Sequence, residues 1–293
     1  MRKSYSLDAE ALPQDGLAVA ERAWKSLSIS GRVGLVLVIF WLFIAVFGAF
    51  LSPYSPSAFV ADDVFLPMSA THWLGSDYLG RDTLSRVLSG TRYTVGLAFF
   101  GALLASATGT FLALYAAVSQ GVLDEVISRL MDTLISIPSK IFALVLVAVF
   151  GASLPLLLLT AAIIYLPGSY RIARALAVNL NSMDYVEVAR VRGERKLYIV
   201  FHEILPNMLN PMMADFGLRF VFVVLLLSGM SFLGLGVQPP AADLGSLVRE
   251  NMSGLQDIAP AILAPAIAIA TLTIGVNLLI DALPQSGNGK GGH

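Results

Sequence analysis

Few residues in this chain stand at spacings that could do chemistry by themselves. His202-Glu203 opens the H-E-x-x-H pattern, in which two histidines one helical turn apart hold zinc and the glutamate acts as general base. Position 206 is Pro206, so the second ligand is missing. Gly229-Met230-Ser231 begins like the G-x-S-x-G turn that presents a nucleophilic serine, but position 233 is Leu233. Gly289-Lys290 is followed by glycine, so the chain has no G-x-x-x-x-G-K-[ST] loop for nucleotide phosphates. Any ATP that drives it would be hydrolysed on a separate subunit. The sequence contains no cysteine, which excludes disulfides and thiolate metal sites. No acid/base pair or metal cluster accompanies the two near-matches, and the reading is of a protein that is not an enzyme and binds no metal or cofactor.

Charged pairs remain. Asp215 and Arg219 stand at i, i+4 in an apolar stretch, where an unpaired arginine near mid-bilayer costs about 2.5–3.5 kcal/mol on insertion scales. The pair reads either as an ion pair near the cytoplasmic end of a span or as a pore-lining contact for a solute. Asp82 and Arg86 form a second i, i+4 pair beside Gly80, and Asp132 and Lys140 are candidate anchors at the start of a span.

The elements that must position these residues are membrane spans. Of 293 residues, 56% are hydrophobic and only 13% charged, about half the charge of a soluble domain. The mean hydropathy is +0.76. Charge-free runs at 33–51, 93–123, 141–170, 220–242 and 258–280 are long enough for a hydrocarbon core of ~30 Å. The expected spans are 33–51, within 94–118, 131–150, 154–170, 209–231 and 260–282, giving an all-α protein of about six transmembrane helices. Residues 1–32 form a polar segment with a candidate surface helix bearing Trp24. Residues 33–283 form the six-span domain, and 284–293 read as a disordered, Gly-rich tail. An uncleaved first span fits the polar start better than a signal peptide. A short turn is expected at "SQGVLDE", after the second span.

Lysine and arginine divide unequally between the two sets of loops. Thirteen fall in 1–32, 119–130, 171–207 and the tail, against four in 52–92, 151–153 and 232–259. The richer set belongs in the cytoplasm, which puts both termini there, makes 171–207 the largest cytoplasmic loop and places 52–92 and 232–259 outside. With a net charge of −1 and no aromatic-and-glycine platform, nothing points to nucleic acid. Within 171–207, Asp184 and Glu187 read as a capping box, and Tyr185, Val188, Ala189 and Arg192 form a half-apolar stripe. Gly193 is placed to end that helix in the left-handed conformation. A second stripe, Leu197, Val200, Phe201 and Ile204, is stopped by Pro206. Two short amphipathic helices joined at a glycine could lie on anionic lipid or form a docking surface for a cytoplasmic partner.

Glu187-Val188-Ala189, then Gly193, then Ile204-Leu205-Pro206 resembles the "EAA" loop of ABC importer permeases. "HWLGSDYLGRDTLSRVLSGTR" at 72–92 and "SFLGLGVQPPAADLGSLVRE" at 231–250 resemble signatures of the dipeptide/oligopeptide/nickel branch, the first pointing to the C-type subunit. The similarity covers about 30–283 in the expected order. Val188 departs from the pattern's middle alanine, and the stretch from Pro284 departs from the usual C-terminal continuation.

The resemblance implies a type I importer fold in the bacterial inner membrane and a second permease subunit, with a heterodimer expected. It also implies two cytoplasmic ATPase subunits carrying ATP and Mg, and an external solute-binding protein. Asp184, Tyr185, Glu187, Ala189, Gly193, Ile204, Leu205 and Pro206 would form the coupling loop, with Glu187 in polar contact with the ATPase. Leu74, Gly75, Asp77, Gly80, Arg81, Asp82 and Arg86 read as a cap over the outer end of the bundle, which the resemblance places where the binding protein docks. The solute would be a peptide or related small molecule. The alternative class is an ion-coupled secondary transporter or channel, which would want carboxylates in a relay; Asp132 and Asp215 are the nearest candidates.

Overall fold

In the computed structural model, residues 27–256 and 258–282 are described. The candidate helix around Trp24 and the 284–293 tail lie outside them. Helix α1 spans Ile29–Leu51, its first turn closed by the Ser28 hydroxyl, which accepts from the Gly31 amide at 3.2 Å. It packs on α9 (Pro260–Asp281) and α2 (Thr83–Ser119) and turns Val36, Phe40, Phe43 and Phe47 outward. An apolar exposed face of this kind suits a lipid surround.

Helix α2 starts at Thr83, well before the expected 94, because Asp82 supplies a cap. Its carboxylate accepts from the Ser85 amide at 2.8 Å and the Ser85 hydroxyl at 2.7 Å. The expected turn at "SQGVLDE" is also corrected. Gln120 alone breaks the chain, with φ of 53°, and helix α3 runs from Gly121 to Ser136. The expected span at 131–150 is broken in its first half. Ile137 and Pro138 are extended, and α4 (Ser139–Phe150) leaves α3 at 86°. Among the described residues, five helices are long and apolar enough to cross a membrane, or six if this bent pair counts as one crossing.

Helix α5 (Leu154–Asn181) carries Pro167 and continues past 170, so the expected charged loop loses its first third to a helix. Two elements follow: the short α6 (Asp184–Val191), and α7, which runs unbroken from Lys196 to Phe232. Pro206 therefore does not end the second stripe. A π-helical turn at Ile199–Ile204, in which the Leu205 amide reaches the Val200 carbonyl, lets the helix pass the proline. Helix α8 (Leu244–Glu250) lies between α7 and α9. Among the described residues no strand forms, only two isolated bridges, Phe59 to Arg81 and Ser76 to Asp82.

Two buried clusters hold the bundle. One gathers Ala98, Ala102, Leu157, Val223 and Leu272 from α2, α5, α7 and α9. The other gathers Ala113–Val118 of α2, Tyr170, Ala173 and Ala177 of α5, and Val186 and Ala189 of α6, with Ile199, Val200, Ile204 and Met208 of α7. The most extensive helix pair is α2 with α5. Ala102, Ala105, Gly109 and Ala113 on one helix and Ala161, Ser169, Ala173 and Ala177 on the other are all buried. Small residues at such spacing let two backbones approach closely, which in a lipid surround is a main source of attraction. A Cβ on Gly109 would stand 2.8 Å from the Leu166 carbonyl oxygen.

Candidate functional site

The α6 element is built by local sequence. Met183 is its N-cap and makes no side-chain capping bond, so the expected Asp184–Glu187 capping box is not formed. Asp184 and Glu187 stand instead in the first turn, where negative charge favours the helix dipole. The C-terminal end matches expectation. Gly193 has φ of +79°, its amide donates to the Arg190 carbonyl at 2.9 Å, and the Glu194 amide reaches back to the Ala189 carbonyl at 3.2 Å. These are the two bonds of a Schellman motif, and a side chain at 193 would be strained by the left-handed backbone.

The buried stripe of α6 is Val186 and Ala189, both fully covered; of the stripe expected from the sequence only Ala189 is buried. Tyr185, Val188 and Arg192 face outward, and Val186 in place of Tyr185 or Val188 faces the bundle. From α7, Ile199, Val200 and Ile204 close over Val186 and Ala189, while Leu197 and Phe201 are about half exposed. Full burial of a Val or Ile side chain is worth roughly 1.5–3 kcal/mol, so this contact holds α6 firmly to the helices behind it. Leu205 is half-buried against the same cluster and Pro206 is exposed.

Polar ties reinforce it. The Arg190 guanidinium donates to Asn181 Oδ1 at 2.5 Å, and Asn181 Nδ2 donates to the Ala117 carbonyl of α2 at 2.9 Å. Arg192 lies 3.4 Å from Glu203. Asn207 Nδ2 donates to the Glu203 carbonyl at 2.8 Å and reaches the Tyr185 hydroxyl at 3.4 Å. Partial burial, with Glu203 nearby, pushes the Tyr185 phenol up from its ordinary value. The opposite face of α6 is left open. Val188 is 56% and Val191 83% exposed, and exposed Glu187 lines a depression of ≈440 Å³ with Arg190 and Asn181.

The far end of the bundle carries the residues read as a cap. Asp77 is 1% exposed. Its Oδ2 accepts from Arg81 Nε and Arg86 Nη1, both at 2.7 Å, and its Oδ1 from the Leu79 and Arg81 amides at 2.9 Å. Glu250, at the end of α8, accepts from the same two arginines at 3.1 and 2.7 Å. The expected Asp82–Arg86 pair is thus corrected. Asp82 is used by the α2 cap and by His72 Nδ1 at 3.1 Å, which leaves Arg86 to Asp77 and Glu250. Gly75 and Gly80 have φ of +68° and +73°, and Leu74 is half-buried.

Nothing in the sequence alone pointed to Glu250 and Asn251 as partners of the 72–92 stretch. The Tyr78 amide donates to Asn251 Oδ1 at 3.1 Å. In the neighbouring loop, buried Asp243 caps α8, accepting from the Ser246 amide at 2.7 Å and bonding to Ser231. Burial pushes its carboxyl up from the usual range.

Asp215 and Arg219 form a buried ion pair, in which Arg219 Nε and Nη2 donate to Asp215 Oδ1 at 3.1 and 2.9 Å. His202 stacks on Tyr198, with ring centroids 4.5 Å apart. Among the described residues, no group of three or more His, Cys, Asp or Glu could hold a metal ion.

With two polar signatures locked together at one end and a short helix presented at the other, comparison with known proteins decides the family. Residues 109–286 match the family described as binding-protein-dependent transport system inner membrane component. The chain belongs to that family. It is 32% identical over 257 residues to the dipeptide transport system permease protein DppC of Haemophilus influenzae, covering 86% of this chain and 87% of that one. It is 34% identical to the glutathione transport system permease protein GsiD of Pectobacterium atrosepticum, covering 84% and 82%. A third relative, at 31% over 85% and 84%, is the di/tripeptide transport system permease protein DppC of Pseudomonas aeruginosa. The protein is therefore an inner-membrane permease subunit of an ABC importer, and the ion-coupled alternative is set aside.

Proposed function

We propose that the permease couples ATP hydrolysis on two separate cytoplasmic subunits to passage of a peptide or related small solute, with the 184–206 element as its coupling lever. The observation that carries this reading is the two-faced build of α6. One face is locked to α2, α5 and α7, while the other offers Val188, Val191 and Glu187 to a partner. A lever needs that asymmetry, rigid behind and apolar with a fixing charge in front. Both termini and the Gly193 end are then cytoplasmic, as the lysine and arginine distribution favours. The Asp77–Glu250 cap faces the solute-binding protein, and a second, different permease completes the pore. This chain contributes no ATPase site, cofactor or metal.

The mechanism is alternating access. ATP binding draws the ATPase subunits together and α6 moves with them, tilting α5 and α7 so that the pathway opens outward; hydrolysis resets it. ATP and the loaded binding protein must both prefer the outward-open state for either to drive the change. The relatives' names concern dipeptides, tripeptides and glutathione, which supports a peptide-like solute for this chain too.

Co-expression with the partner permease and ATPases, with and without a scrambled 187–193 segment, tests the reading. The ATPases are expected to co-purify with the intact chain and to be lost on scrambling, while the partner permease is retained. Co-purification unaffected by the scramble would remove α6 from the ATPase interface.

A further inference from the structure

We infer that the cavity at the break between α3 and α4 is a water-reached site for a carboxylate-bearing solute, held by Arg219 and Arg171. The inference rests on the permease reading and deepens it. The 86° bend at Ile137-Pro138 leaves a cavity of ≈370 Å³ against α5 and α7. Its wall includes Arg219, Arg171, Gly168, Tyr165, Pro138 and Ser139, and none of its lining residues is acidic.

Arg219 spends Nε and Nη2 on Asp215. Its Nη1 lies over Gly168, where a Cβ would stand only 2.6 Å away, so the glycine leaves the guanidinium room at the wall. Asp215 is buried behind it, 2% exposed, with Oδ2 lacking a hydrogen-bond partner. Arg171 has a side chain 62% exposed and forms a long, exposed ion pair with Asp132 at 3.9 Å. Tyr165 donates its hydroxyl proton to the Phe222 carbonyl at 3.0 Å. Helix α4 begins at Ser139 on the cavity wall with no side-chain cap, adding the positive end of its dipole. Arg219 Nη1, the Arg171 head and the α4 dipole favour an anion on this wall, with the Asp215 and Asp132 carboxylates as the opposing charges behind the two arginines.

Depth sharpens the point. Arg219 lies roughly 20 Å of helix from the Phe232 end of α7, at ~1.5 Å per residue, well within the membrane. A guanidinium there faces a water-filled cavity or a counter-charge, not lipid tails. The volume falls in the range of small-ligand pockets, about 300–1,000 Å³, and suits the carboxylate end of a short peptide. Arg219 Nη1, the nitrogen that Asp215 does not use, offers a charged donor to one carboxylate oxygen.

The absence of cysteine from the chain makes the test direct. Ser139→Cys is introduced and the whole importer is placed in vesicles. Labelling by an anionic methanethiosulfonate (sulfonatoethyl) is compared with labelling by a cationic one (trimethylammonioethyl), with the cysteine-free chain as control. The anionic reagent is expected to react about tenfold faster, as a positively lined cleft concentrates anions. Arg219→Gln should remove most of that preference, Arg171→Gln a smaller part, and Arg219→Lys little. Unchanged labelling by neutral N-ethylmaleimide reports that each variant is folded.

A dipeptide with a free C-terminal carboxylate should slow labelling, and its C-terminal amide should not. No labelling by either charged reagent, equal rates, or equal protection by the amide would overturn the site. ATP-dependent uptake in the same vesicles separates the two readings. Uptake intact with flat labelling defeats the cavity alone. Charge-selective labelling without any uptake defeats the permease coupling and leaves an anion site.

Discussion

At the Asp77 end, two carboxylates and two guanidiniums are drawn together by residues 164 positions apart, and almost every contact is a charged hydrogen bond. At the Gly193 end, alanines, valines and isoleucines of four helices close over one another, and charge is confined to the margins. The difference suits the two tasks. A buried ion cluster tolerates little displacement, because losing one partner leaves an unpaired charge out of water. An apolar contact is non-directional and can be carried along as a body when its helices tilt. The first end is suited to fixing a shape for an outside partner, the second to moving with an inside one.

The largest effect should come from breaking the rigid end. Asp77→Ala leaves Arg86 buried without its main partner and is expected to cost about 3–5 kcal/mol, seen as loss of folded protein in detergent and a lower Tm. Glu250→Gln, at a more exposed position, should lower Tm much less. If both substitutions cost the same, the cluster is not organised around Asp77.

Next is the hinge of the moving end. Gly193→Pro cannot adopt the φ of +79° and removes the amide bond to Arg190. The chain should insert and bind its partner permease, yet show uptake at least tenfold down with ATP hydrolysis no longer stimulated by loaded binding protein. Normal stimulated hydrolysis and uptake would remove the lever assignment.

A smaller change is expected from the tie between lever and α2. Asn181→Leu removes the bridge from Arg190 to the Ala117 carbonyl, worth about 1–3 kcal/mol for the buried groups left unpaired. Uptake per ATP hydrolysed should fall while ATPase binding stays. Loss of ATPase binding instead would make Asn181 part of the docking surface rather than a strut behind it.

The smallest effect concerns pH. The carboxyl of Asp243 is raised by burial, so the folded state holds its proton more tightly than the unfolded chain. Its stabilising contribution is therefore full below the unfolded carboxyl range and is lost as pH rises through the raised folded value. Asp243→Asn, which can keep the cap to Ser246, should flatten Tm between pH 4 and pH 8, by a few degrees at most (roughly ΔΔG of 1 kcal/mol). An unchanged pH profile would show that the Ser231 and Ser246 bonds hold the carboxylate charged.

The presence of five spans, the left-handed Gly193 and the i, i+4 spacing of Asp215 and Arg219 were legible from the sequence, since each depends on local pattern. What escaped depends on competition between partners. Asp82 stands i, i+4 to Arg86, but its carboxylate is already committed to the α2 cap, and spacing alone cannot reveal that. Glu250 reaches Arg81 only through the fold. Asp184 carries a capping residue's chemistry, yet the helix already includes it, with Met183 as N-cap and Val186 and Ala189 on the buried face. Pro138 lies at the edge of an apolar run, and Pro206 follows an amphipathic stripe. One proline breaks its helix at 86° and the other is absorbed by a π turn, an outcome decided by what packs around each.

The central claim is that the open face of α6, and not the Asp77 cap, meets the ATPase. Single cysteines at Val188 and at exposed Trp73, in this otherwise cysteine-free chain, allow site-directed cross-linking in membranes containing the full importer. Val188→Cys is expected to cross-link to the ATPase subunit in a yield that changes with ATP, and Trp73→Cys only to components on the other side. Cross-linking of Trp73→Cys to the ATPase, or none from Val188→Cys, would contradict the account.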